Sequence, residues 1–168
     1  MDNQLQGNST NQMSTEQNDA VRMALKNLVD IAHTGHEGYN TAADNVKNPE
    51  YAALFRGFAQ QRQTFEHELK QCVARLGGDP EAKSAGGMLE AAAGALHRGW
   101  INLKSAVTGG SESAILDECE RGDEIAIQAY QSALEQPCPQ EVAQMLRQQY
   151  QSIQEAYTRV KGLARIEA

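Results

Sequence analysis

Sulfur, proline, aromatic side chains and positive charge are all scarce in this chain of 168 residues, and each shortage removes a class of protein. The three cysteines, Cys72, Cys119 and Cys138, are odd in number, far apart and without a CxxC pair, so neither a disulfide framework nor a zinc site fits. Lys and Arg number 15 against 22 Asp and Glu, a formal charge of -7, and no stretch gathers the cations into a basic stripe. That balance argues against nucleic acid and membrane as partners. No run of about 18 apolar residues offers a membrane span, and Met1-Asp2-Asn3-Gln4 lacks the basic flank and apolar stretch of a signal peptide. A cytoplasmic protein is the expectation. The chain has no glycine-rich phosphate loop, no nucleophile elbow and no HExxH, and no segment alternates polar and apolar residues between hairpin turns.

What remains is helical. Residues 1–13 are almost wholly polar, with too little apolar surface to offset the ordering cost of roughly 1 to 2 kcal/mol per residue, and read as a disordered tail. Residues 14–168 read as one domain. Ser14 with Gln17 forms a capping box that opens a helix over about 15–47, whose apolar row runs Val21, Leu25, Leu28, Ala32, Gly35, Tyr39, Ala42, Val46. Asn48-Pro49-Glu50 starts the next helix, with Leu54, Phe58, Gln61, Phe65, Leu69, Cys72 and Leu76 as its row and Gly77-Gly78 as its end. A shorter segment, about 88–107, carries Leu89, Ala93, Leu96, Trp100, Leu103 and Val107. A helix over about 112–135 shows Ile115, Cys119, Gly122, Ala126, Ala129 and Ala133, and a last one after Pro137-Cys138-Pro139 shows Val142, Leu146, Gln149, Ile153, Ala156, Val160 and Leu163.

Short connections make the first and second long helices antiparallel, and likewise the last two. The 88–107 segment then carries the chain back along the bundle, so the second and third long helices run parallel. The fold class is all-α, a four-helix bundle with a helical crossover.

Gly35-His36-Glu37-Gly38-Tyr39, Arg62-Gln63-Thr64-Phe65, Leu96-His97-Arg98-Gly99-Trp100 and Glu118-Cys119-Glu120-Arg121-Gly122-Asp123 follow in order. Together they resemble an uncharacterised bacterial family of four-helix-bundle proteins grouped with the ferritin-like superfamily, over roughly residues 20–165. The resemblance implies a ferritin-like fold and, by superfamily analogy alone, a stress or storage setting; it implies no agreed activity. The family's last helix has a His-Asp pair where this chain has Tyr157-Thr158.

A ferritin-type di-iron centre needs a Glu from each of two helices and a Glu-x-x-His from each of the others. This chain has no Glu-x-x-His. Instead Gln61 and Gln149 stand in otherwise apolar rows, with His36 and Asp123 just off centre. Counting inward from the helix ends brings all four to one depth, with Arg62 and Tyr157 at the margins. The expectation is a polar core layer of His36, Gln61, Asp123, Gln149, Arg62 and Tyr157. Read plainly, it is hydrogen-bonded and fixes helix register. Read functionally, it is a degenerate site in which His36 and Asp123 hold one divalent metal ion. Gly35 and Gly122 are read as points of close helix approach, Trp100 as packing under the crossover, and His33, His67 and His97 as solvated. Cys119 is a buried, inert thiol, and Cys138 the one placed to react.

The leading functional reading is therefore a non-catalytic ferritin-like bundle. The alternative is an interaction module, a homodimer or a binder of a basic partner through Glu37, Asp44, Glu120 and Glu124. A di-iron oxidoreductase of the rubrerythrin kind ranks third, since it needs the carboxylates that are missing.

Overall fold

The computed structural model describes residues 13–82 and 111–168. Within them lie four helices, α1 Thr15–Asn45, α2 Pro49–Arg75, α3 Glu112–Leu134 and α4 Gln140–Glu167, and no strand. At 1.5 Å per residue the helices are about 35 to 47 Å long. Residues 1–12 of the expected tail and the expected 88–107 crossover, with Trp100 and His97, lie outside the described residues. Met13, which the tail reading included, packs against the core.

The helix ends follow local chemistry. Ser14 and Gln17 exchange the reciprocal bonds of a capping box, Asn48 accepts from the Glu50 N–H ahead of Pro49, and Ser111 accepts from the Ala114 N–H. At the far end of α2 the chain leaves through Gly77 at φ +79°, and a Cβ on Gly78 would come within 2.9 Å of Val73 Cγ1. Arg22 of α1 donates to the Leu76 carbonyl at 3.0 Å, supplying a partner to one of the carbonyls that a helix end leaves open.

Side-chain bonds fix the directions. Asn48 N–H donates to Glu112 Oε1 at 2.8 Å, so the start of α2 lies beside the start of α3, and Arg62 meets Asp123 further along. These two helices are parallel. Arg22 reaching Leu76 and His36 reaching Ala59 make α1 and α2 antiparallel. Tyr130 meeting Gln149 and Glu124 meeting Tyr157 make α3 and α4 antiparallel. The hairpins join chiefly along α1 and α3, while α2 and α4 touch sparsely. The architecture is a four-helix bundle of two antiparallel hairpins.

The apolar rows read from α1, α3 and α4 are buried except at Gly35, Val46, Gly122 and Leu163, which are half-buried. On α2 the first half of the row is displaced, while Phe65, Leu69 and Cys72 of it are buried as expected. Tyr51, Phe55, Ala59, Arg62, Phe65 and Leu69 are buried, whereas Leu54, Phe58 and Gln61 are half-exposed. The reason is Arg62, a cation that faces the core and so disguises the true stripe. Because of it the core falls into two clusters, one containing Leu28, Ala32, Phe65, Leu69, Ala126 and Ile153, the other Tyr39, Phe55, Ala59, Ile115, Cys119 and Val160.

Replacing Gly77 by Ala forces a side chain into the left-handed region, and the fold should lose roughly 1 to 2 kcal/mol. Urea denaturation followed by circular dichroism measures this; an unchanged midpoint would show that α2 can end without that conformation.

Candidate functional site: a buried charged node

Four polar residues are buried among those described: Asn27, Arg62, Asp123 and Gln149. Two of them meet at the break between the core clusters. Arg62 Nη2 donates to Asp123 Oδ1 at 2.8 Å, with both side chains about 3 to 4% exposed. Tyr39 Oη donates to the other carboxylate oxygen, Oδ2, at 2.5 Å. Arg62 Nη1 donates to Gln61 Oε1 at 2.5 Å. The guanidinium carbon lies 5.7 Å from the centre of the Tyr39 ring and 5.8 Å from that of Phe65. Tyr39 in turn stacks edge-on to Phe58 at 5.2 Å. Hydrogen bonds, opposite charge and aromatic faces thus surround a cation that burial would otherwise make costly.

Backbone placement makes the room. Gly35 of α1 lies against the stem of Arg62, and a Cβ there would touch Arg62 Cγ at 3.4 Å. Gly122, by contrast, would have nothing within 4 Å of an added Cβ among the described residues, so none of these approaches it closely.

The electrostatics follow from burial. Lack of water pushes the Asp123 carboxyl above the usual aspartate range, and Arg62 and the Tyr39 hydroxyl pull it part of the way back. Burial works against the charge on Arg62, but Asp123, with Tyr39 and Tyr130 behind it, outweighs that effect and leaves the side chain more basic than an ordinary arginine. Burial, then Asp123, push the Tyr39 phenol well above its usual value, so it donates and does not act as a base. The same causes raise the Cys119 thiol well above normal, consistent with an inert group. Cys138, expected to be the reactive thiol, is half-buried, and burial raises it too, against the pull of Arg147.

The six residues expected in one layer are distributed over several places. Arg62, Asp123 and Gln61 come together, but Arg62 is at the centre and Gln61 at the edge, the reverse of the expected order. Gln149 belongs to a second node, where its Oε1 accepts from Tyr130 Oη at 2.7 Å and its Nε2 donates to Glu68 Oε2 at 2.7 Å. Burial pushes the Tyr130 phenol up as well. Because Glu124 meets Tyr157 and Gln131 meets Tyr150, Asp123 stands level with the Ala156–Tyr157 turn; α4 begins about two turns beyond the end of α3, and counting from helix ends misses that overhang.

His36 does not reach Asp123. Its Nδ1 lies 2.9 Å from the Ala59 carbonyl and its Nε2 3.3 Å from Asn40 Nδ2, an arrangement satisfied by a neutral ring with the proton on Nδ1. Tyr157 lies outside the core, donating to Glu124 at 3.0 Å and accepting from Lys161 at 2.8 Å, and Lys161 also faces Glu120 at 3.5 Å. Among the described residues no group of three or more His, Cys, Asp or Glu is placed to hold a metal ion. Sequence reasoning missed Tyr39 and Tyr130 as node members; Tyr39 stands on the apolar row of α1, Tyr130 beside that of α3, and both are buried, where a phenol needs a partner.

A buried pair is more sensitive to losing one member than both. Arg62→Leu and Asp123→Leu should each cost about 3 to 5 kcal/mol, and the double variant less than their sum, because no stranded charge remains. Urea denaturation of the four proteins tests this; strictly additive losses would mean the side chains do not interact.

A second expectation concerns alkali. Above pH about 10 an unfolded tyrosine loses its proton, whereas Tyr39 and Tyr130 keep theirs while folded. The unfolded state then binds fewer protons, so stability is intact below that pH and falls as pH rises, by about 1.4 kcal/mol per unit per phenol. Two of the five tyrosines should therefore ionise only as helix content is lost, and Tyr39→Phe/Tyr130→Phe should flatten the alkaline limb. Phenolate absorbance following one smooth titration in the folded protein would refute this.

A family model described as Domain of unknown function (DUF2383) matches residues 20–136, and the chain belongs to that family. The match covers α2, α3 and all of α1 but its first turn, and so includes Tyr39, Arg62 and Asp123. No curated protein matches the chain.

Proposed function

We propose that this member of the DUF2383 family is a ferritin-like bundle that works without catalytic turnover, its core centre filled by an internal cation where the di-iron proteins of that superfamily place metal. The observation that carries the reading is the saturation of Asp123. Arg62 takes one carboxylate oxygen and Tyr39 the other, and His36, the other residue expected to hold a metal ion, is bonded to Ala59 and Asn40. A carboxylate already neutralised by a guanidinium offers a second cation little. The parallel run of α2 and α3, which requires one long return, supports the ferritin-like comparison. Among the described residues no helix is long and apolar enough to cross a membrane, and a cytoplasmic bacterial protein with a storage or stress role is part of the proposal.

The second reading is a homodimer, with the outer face of α4 as the contact. An open groove of about 670 Å³ there is lined by residues including Glu155, Arg159, Gly162, Leu163 and Ile166, the last 73% exposed. Glu155 and Arg159 make no ion pair among the described residues, and two copies of α4 crossing antiparallel would set each against the other.

Elemental analysis of protein purified without chelator tests the first reading. Substoichiometric iron, manganese and zinc are expected, with no thermal stabilisation by their salts. Two irons per chain, ferroxidase activity, or metal stabilisation lost in Asp123→Asn would overturn it. Light scattering on the same sample decides the second: a concentration-independent monomer would end it.

A further inference from the structure

About ten residues beyond Arg62 along α2, some 15 Å from the charged node, two sulfur atoms from different helices face each other. Cys72 is 2% exposed, and its Sγ lies 3.6 Å from Met145 Sδ of α4, with the thiol proton directed at the thioether. Arg75 Nη2 approaches the same Sγ at 3.0 Å. Met145 is only half-buried, which gives the pair a way out to solvent through a flexible side chain. Met13 and Cys138 pack against the same core cluster, so four of the sulfur side chains gather at this end of the bundle.

We propose that Cys72 and Met145 form a binding site for a soft monovalent metal ion, Cu(I). Thiolate and thioether select such ions over hard divalent cations, and neither residue adds an oxygen or nitrogen donor that would favour magnesium, manganese or iron. With metal–sulfur bonds of about 2.3 Å, as for zinc thiolates, one ion can bridge sulfurs 3.6 Å apart in a bent arrangement that leaves a position open. The ion takes the place of the thiol proton, which leaves to solvent, and the metal's oxidation state does not change. Arg75 puts a positive charge beside the resulting thiolate, and since it is an exposed side chain it can swing aside as the cation enters. This site is separate from the core centre and does not depend on the proposed function: it predicts copper uptake that Asp123 variants retain.

The test is anaerobic titration of the full chain with Cu(I) against bathocuproine disulfonate, with circular dichroism on every sample. One ion per chain is expected to be held by the wild type. Cys72→Ser and Met145→Leu should each weaken binding at least tenfold while Cys138→Ser leaves it unchanged. Met145→Leu conserves volume and keeps the thiol, so it separates a two-sulfur site from simple thiol reactivity even where Cys72→Ser perturbs the fold. Failure of the wild type to compete, equal binding by Met145→Leu, or loss of binding in Cys138→Ser would each overturn the proposal.

Discussion

A guanidinium buried in the middle of a helical bundle is the constraint around which the rest is arranged. Arg62 cannot be left without counter-charge in a medium that solvates ions poorly, so α3 must present Asp123 at the same height and α1 must present Tyr39 to the second carboxylate oxygen. Gly35 then yields the space the side chain needs. Three helices are thereby set in height by polar contacts, and apolar packing divides into a cluster on each side. Leucine and valine rows alone tolerate sliding by a turn; a hydrogen-bonded charge does not.

The Glu68–Tyr130–Gln149 node completes the alignment by bringing in α4. It is built differently. Tyr130 donates to the amide, and the amide donates to a carboxylate that is only half-buried. The two nodes lie on opposite sides of one apolar layer containing Phe65, Ala126 and Ile153, so the bundle alternates apolar and polar levels along its length.

Most of the helices and their ends were legible because caps, prolines and apolar rows are local signals: Ser14 with Gln17, Asn48 with Pro49, and the rows of α1, α3 and α4 all read directly. The candidate site was legible only as a set of polar residues near one depth. Arg62 defeated the first half of the row on α2, since a rule that keeps charge out of the core steps from Leu54 to Phe58 to Gln61 and so turns that part of the helix by one residue. Gln149 was misplaced because the length of the α3–α4 turn does not tell how far α4 overhangs its partner. Tyr39 was visible as a core aromatic, but that its hydroxyl would find Asp123, some eighty residues away, is a tertiary fact that no window of sequence holds.

The two members of the ion pair belong to different hairpins, and this bears on how such a chain can change over generations. A substitution at either position alone meets an interior that still holds the other charge, so a lineage must cross a valley of poorly folded intermediates before a second change restores fitness. The pair is easier to inherit than to acquire or discard. Once in place, it ties the history of the first half of the gene to that of the second, and recombination that exchanged one hairpin for a relative's would succeed only where both parents carried the same solution.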